Sequence, residues 1–212
     1  MKNTILIIAS IFAMFNVSIA QEEETDFREE LQIGAKIGAN YSNVYDSEGE
    51  QFNADAKLGL AAGGFVSIPF GKYLGFQPEL LLSQKGFKAT GMILGSPYQF
   101  TRTTTYIDIP LFLALKPSEF ITLVAGPQYS YLIKQNDNFA IATTSIDQQQ
   151  EFKNDNFRKN TLCFTGGVDF TLKQFVIGAR AGWDVQNNIG DGTSSTPRYK
   201  NVWYQLTAGF RF

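Results

Sequence analysis

The stretch Leu31-Gln32-Ile33-Gly34-Ala35-Lys36-Ile37-Gly38-Ala39-Asn40-Tyr41-Ser42 alternates without a break. Its odd positions are Leu31, Ile33, Ala35, Ile37, Ala39 and Tyr41, all apolar or aromatic. Its even positions are polar, small or charged. Successive side chains of a β-strand point to opposite faces, so this period puts one face in lipid or a core and the other in a polar space.

The same alternation recurs seven more times. The second strand is expected over Lys57–Phe70, with Leu58, Leu60, Ala62, Val66, Ile68 and Phe70 on its apolar face. The third runs over Tyr73–Lys85 and the fourth ends near Leu115. The fifth starts at Phe120, the sixth covers Thr161–Leu172, the seventh starts at Phe175, and the eighth runs from Val202 to Phe212. Strands of about 9–11 residues cross a membrane when tilted. The connections alternate in length. Gly71-Lys72, Lys116–Glu119 and Lys173-Gln174 are short, whereas Asn43–Ala56, Gly86–Arg102, Ile133–Asn160 and Gln186–Tyr199 are long and polar. Outer-membrane barrels have short periplasmic turns and long external loops. The expected fold is therefore all-β: an eight-stranded antiparallel up-and-down transmembrane β-barrel over residues 31–212, in the cell outer membrane. Loops around Asn138, Asp147 and Gly192 are expected outside, and Lys72 and Glu119 in the periplasm.

Ahead of the barrel, residues 1–20 read as a secretory signal. Lys2 precedes an apolar run from Ile5 to Phe15, and Ser18-Ile19-Ala20 is a small-residue cleavage site. Residues 21–30 carry Glu22, Glu23, Glu24, Asp26, Glu29 and Glu30 and are expected to form a solvated, acidic periplasmic tail. The composition agrees with export to a membrane through strands. Mean hydropathy is -0.12 although 14% of the residues are aromatic, because a barrel interleaves its apolar residues with polar ones. The net charge of -2 supplies no basic face for nucleic acid.

The other face of the strands should line the lumen. It is rich in glycine and small polar residues, and eight strands leave room only for packed side chains or one small ligand. Its charges are Lys36, Lys85, Arg180 and Arg211 against Glu79, Asp108, Asp169 and Asp184. Four of each sign suit a closed, internally compensated plug, because buried charge is costly unless paired. Counting up each strand places Glu79, Arg180 and Lys36 at similar heights, so Glu79 is expected to accept from Arg180 with Lys36 nearby. Pro78, Pro110 and Pro127 fall inside strands, where each removes a ladder hydrogen bond, and bulges are expected at them. Phe210 and Phe212 end the last apolar face, as an assembly signal at the C-terminus would.

Several segments carry a family resemblance. Phe76–Gly86 (FQPELLLSQKG), Tyr106–Leu111 (YIDIPL), Ala125–Tyr129 (AGPQY) and Gly178–Arg180 (GAR) resemble motifs of the PorT-like outer-membrane β-barrel domain family. That family often has an aromatic after the last Arg, where this chain has Ala181. The resemblance spans residues 31–212. It implies the barrel fold and the outer membrane, with a secretion link for some members, and little chemistry.

Catalysis finds few candidates. The chain contains no His, which removes a Ser-His-Asp unit and the usual base of barrel enzymes. Cys163, the single cysteine, is expected to be a buried, inert thiol. Asp46, Glu48 and Glu50 have an oxygen-only spacing that calcium could use, but a solvated loop is the simpler reading. The expected role is a non-enzymatic barrel with structural or interaction loops and no cofactor or metal. The alternative is a transport- or secretion-associated component. A lipocalin-like binder fits less well, because its apolar residues would face inward. Expected partners are outer-membrane lipid, the barrel-assembly machinery, and envelope or secretion proteins.

Overall fold

A computed structural model describes residues 26–46, 54–93, 96–141, 144–150, 158–188 and 198–212. The expected signal segment, Glu22 to Glu24, the carboxylates of Glu48 and Glu50, and Gly192 lie outside these residues. A 3-10 turn, Phe27–Glu29, precedes nine strands: β1 (Gln32–Asp46), β2 (Asp55–Pro69), β3 (Leu74–Ile93), β4 (Ser96–Leu115), β5 (Ile121–Ile141), β6 (Thr144–Gln150), β7 (Asn160–Leu172), β8 (Phe175–Asp184) and β9 (Tyr199–Arg211). Eight of them close a ring. Each is antiparallel to its neighbour, in the order β1-β2-β3-β4-β5-β7-β8-β9, and β9 returns to β1. The fold is a closed, eight-stranded, up-and-down barrel.

The alternation sorts the faces. Ile37 (64% exposed), Leu58 (69%) and Leu206 (62%) point outward, whereas Trp203 and Phe112, both 1% exposed, point into the lumen. An apolar outer wall is stable only in lipid. Aromatic residues ring it at both ends, as interfacial girdles do. Phe70, Tyr73, Phe120, Phe175 and Phe212 sit at the end that carries both described termini, the near end. Tyr41, Tyr129, Tyr131, Trp183 and Tyr204 sit toward the opposite, far end.

Two expectations about the wall need correction. The segments Gly86–Arg102 and Ile133–Asn160 are not simply loops. β3 and β4 stay paired out to Ile93 and Ser96, β4 and β5 out to Tyr98 and Ile141, and β6 adds to the far half of β5. Strands of 20, 20 and 21 residues overrun a bilayer, so β3 to β6 rise as a sheet above the far rim. Pairing continues there because backbone groups still need partners, while the apolar alternation ends with the lipid.

The prolines do not create bulges. Phe65 pairs with Glu79 and Ile68 with Phe76 in one register, and the same holds on either side of Pro110 and Pro127. Instead the ladder drops two residues and resumes in phase. The gaps are Val66–Ser67 opposite Gln77–Pro78, Glu79–Leu80 opposite Ile109–Pro110, and Leu111–Phe112 opposite Gly126–Pro127. A one-residue slip would turn lipid-facing side chains inward, so a lost bond is tolerated where a shift is not. The register shifts that do occur lie between Ala56 and Ala61 and between Thr105 and Tyr106. Gly86, with φ +149°, lies against the carbonyl of Arg102, where a Cβ would clash.

Candidate functional site: a packed, charged lumen

The lumen is filled in tiers. The lowest charged tier, near β1, β3, β7 and β8, is an ionic tetrad. Lys36 Nζ lies 2.5 Å from Glu79 Oε2, and Arg180 Nη2 lies 2.7 Å from Asp169 Oδ2 and 3.5 Å from Glu79 Oε1. Gln77 donates to both acids, at 3.0 Å to Glu79 and 3.1 Å to Asp169. All five residues are buried. Arg180 also donates to the carbonyls of Val168 and Ala179, and its guanidinium lies over the Phe112 ring at 5.3 Å. Gly178 makes the tier possible, since a Cβ there would stand 2.8 Å from Thr207 Oγ1 and press on Asp169. Height counting brings Glu79, Lys36 and Arg180 together, but the short contact of Arg180 is Asp169, its diagonal neighbour across the β7–β8 ladder.

Neutral groups fill the middle. Asn40 donates to Ser83 Oγ and to the carbonyl of Gln84, and accepts from Gln205. Thr165 donates to Gln128, which donates to Ser130.

The next tier is organised around one cation. Lys85 is 1% exposed and lies 3.0 Å from Asp108 Oδ2. Its ammonium stands 3.6 Å from the Trp203 ring centroid and 4.9 Å from that of Tyr106. Ser130 Oγ donates to Asp108 at 2.6 Å. Asp184 has no cation within ion-pair distance among the described residues. It accepts from Asn201 N and Nδ2 at 3.0 and 2.5 Å, and from Cys163 Sγ at 3.1 Å. Cys163 is buried, so the thiol is sealed from reagents.

At the far rim the chain adds a pair that sequence reading missed. Arg102 forks onto Asp137 with Nε and Nη2 at 2.7 and 2.6 Å, and Nη1 donates to Tyr199. Val44, Phe87, Ala89 and Tyr199 form an apolar cluster beside it. Arg102 and Asp137 sit in stretches read as loops, and only continued pairing puts them on the inner face.

Arg211 stands apart from the other expected lumen charges. It lies at the near mouth, donates to Gln32 Oε1 at 2.8 Å and to the carbonyl of Lys173 at 2.8 Å, and stacks over Phe27. The acidic run is not wholly a solvated tail. Glu29 and Glu30 are exposed, but Asp26 holds Arg28 at 2.7 Å and Lys72 at 3.1 Å, and the turn folds beneath the mouth. Phe212 continues the outer apolar face: its ring lies 5.2 Å from Phe210, and its N–H donates to Ile33. No metal-holding group of His, Cys, Asp or Glu occurs among the described residues.

An apolar exterior, a ring of aromatics at each end and a packed, charged interior define an integral outer-membrane barrel. The model of the outer membrane protein beta-barrel domain matches residues 19–190, and the chain belongs to that family. Among solved structures, Ail, the attachment invasion locus protein of Yersinia pestis, superposes with a TM-score of 0.50 at 16% identity, over 86% of this chain and 99% of that one. Neisserial surface protein A gives 0.46 at 8% identity, over 86% and 97%. OprG from Pseudomonas aeruginosa gives 0.41 at 12%, over 86% and 95%. No curated protein matches the chain. The likeness to Ail carries the fold, and the family carries the outer membrane.

Proposed function

We propose that the protein is a non-enzymatic outer-membrane barrel whose lumen is a structural plug and whose far end, facing outward, is the working surface. The near end is then periplasmic. The observation that carries this reading is the pairing within the lumen. Glu79, Asp108 and Asp169 each meet a cation, and the buried rings of Phe112 and Trp203 pack against Arg180 and Lys85. A pore needs a continuous wet path, and water competing for these charges would weaken each pair. A catalyst needs an accessible nucleophile or base, and Cys163 and Ser130 are both sealed within the wall.

The asymmetry of the wall supports the second half of the reading. Among the described residues, chain beyond the lipid is invested mostly in β3 to β6, which form a raised sheet on one side of the rim. A barrel serving only as a plug has no use for it. Envelope or extracellular partners would meet that sheet. Lipid surrounds the wall, and the barrel-assembly machinery would read the C-terminal face that ends at Phe210 and Phe212. A PorT-like link to secretion rests on the resemblance of residues 76–86, 106–111 and 125–129 alone.

Planar-bilayer recording tests the sealed lumen. Purified, heat-modifiable protein should give no steady ion current, and removing residues 89–99 and 138–147 should leave it folded and still closed. A stable conducting state in the intact protein would overturn the reading.

A further inference from the structure

The near mouth, periplasmic in the proposed orientation, holds two cations without a salt-bridge partner among the described residues. Lys116, in the β4–β5 turn, is 4% exposed, yet its Nζ has one protein acceptor, the carbonyl of Arg28 at 3.1 Å. Arg211 is held by Gln32 Oε1, the carbonyl of Lys173 and the Phe27 ring. Among the described residues neither forms an ion pair. The nearby acids Asp26, Glu30 and Glu119 lie beyond ion-pair distance of both. Asp26 bridges Arg28 and Lys72, Glu119 lies 3.7 Å from Arg28, and Glu30 is exposed. Both cations line one cavity of about 30 Å³ between the Phe27–Glu29 turn and the barrel mouth, room for about one or two water-sized bodies.

The rest of the lining adds donors. Ser67 and Thr171, 4% and 5% exposed, face the cavity, and their hydroxyls have no protein hydrogen-bond partner among the described residues. Asp169 also lines it, but its Oδ2 is occupied by Arg180 and Gln77. Lys116 keeps N–H donors beyond its bond to Arg28, and one accepting body in the cavity would give them and the two hydroxyls a shared partner. Burial, and then the neighbouring Arg211 guanidinium, push the Lys116 ammonium below the ordinary lysine range, as expected of a cation short of a counter-charge.

We propose that this mouth binds one small inorganic anion of chloride size, held by Lys116, Arg211, Ser67 and Thr171 and closed from below by Phe27 and Arg28. The turn acts as the lid. Gln32 Nε2 fastens the carbonyl of Phe27 at 2.9 Å, and Lys116 fastens that of Arg28.

The test uses the whole mature chain in detergent micelles at fixed ionic strength, with gluconate replaced stepwise by chloride. Binding to the folded state alone raises the unfolding midpoint with the logarithm of ligand concentration. The wild type should show that rise. Lys116→Met, checked for folding by heat-modifiable migration, should show none. Crystals grown in sodium bromide should give an anomalous peak between Lys116 and Arg211. A midpoint indifferent to the anion, an unchanged rise in Lys116→Met, or water alone between the two cations would each overturn the site.

Discussion

The two charged tiers of the lumen solve one problem in different ways. The lower tier is an ionic mesh, in which Glu79 serves Lys36 and Arg180 while Asp169 serves Arg180. The upper tier is a single cation held between Asp108 and the Trp203 ring, with the second acid, Asp184, satisfied by neutral donors. A mesh shares each charge among several partners and fails when a shared member is lost. A solitary pair backed by hydroxyls and rings fails more gently. The difference teaches that equal numbers of opposite charges do not imply equal pairing.

The largest effect should follow from Glu79→Gln, which removes the counter-charge that two buried cations share. Breaking a buried pair costs about 3–5 kcal/mol, measured by denaturant unfolding in lipid vesicles. A loss below about 1 kcal/mol would mean that water reaches the lower tier and that the contrast between the tiers is false.

Lys85→Met should cost less, about 2–3 kcal/mol, because Ser130 still donates to Asp108. A larger loss than for Glu79→Gln would reverse the ranking of the two tiers. Asp184→Asn sharpens it further. Its acceptor role toward Asn201 can pass to the amide oxygen, so the change should stay within about 1 kcal/mol in the same unfolding measurement. A severe loss there would show that Asp184 takes part in the charge balance.

The smallest effect lies below both tiers, at the turn. Hydrogen bonding from Arg28 holds the Asp26 carboxyl far below its ordinary value of 3.8. A carboxylate with a depressed value in the folded chain contributes stability above its unfolded value and loses it as pH falls through the folded one. The turn should therefore keep its Arg28 amide protection from neutral pH down to the ordinary carboxylate range, and shed it only in stronger acid. Amide hydrogen exchange across that range checks this; loss of protection already in mildly acidic buffer would mean that Asp26 is not tied.

Most of the wall is legible because lipid imposes a period of two on every strand that touches it. Leu58, Leu60, Leu80 and Leu82 declare their face without any knowledge of their neighbours. Above the membrane the outer face no longer meets lipid and can be polar like the inner one, so Thr101 to Thr105 show no apolar alternation, and β3, β4 and β5 run on unseen. Arg102 and Asp137 are lost to sequence reading for that reason. The prolines misled because a missing N–H permits either a bulge or a gap, and only the demand to keep leucines in lipid chooses the gap. The lumen charges were legible as a set, but not as partners. Strand tilt displaces heights between neighbours, so Asp169, two residues along from the Gly167 that faces Arg180, outranks Glu79. The turn at Phe27–Glu29 was hidden by its acidic composition, which reads as a tail until Lys72 and Lys116 are seen beneath the mouth.

The central claim is that the lumen charges are partners in a dry, structural lattice. A double-mutant cycle on Lys36→Met and Glu79→Gln in lipid vesicles tests it most directly, because the coupling term isolates the pair from the cost of each change alone. The lattice predicts a coupling of about 1–3 kcal/mol, with the double variant recovering part of the loss of Glu79→Gln. A coupling near zero, with the two losses simply adding, would contradict it.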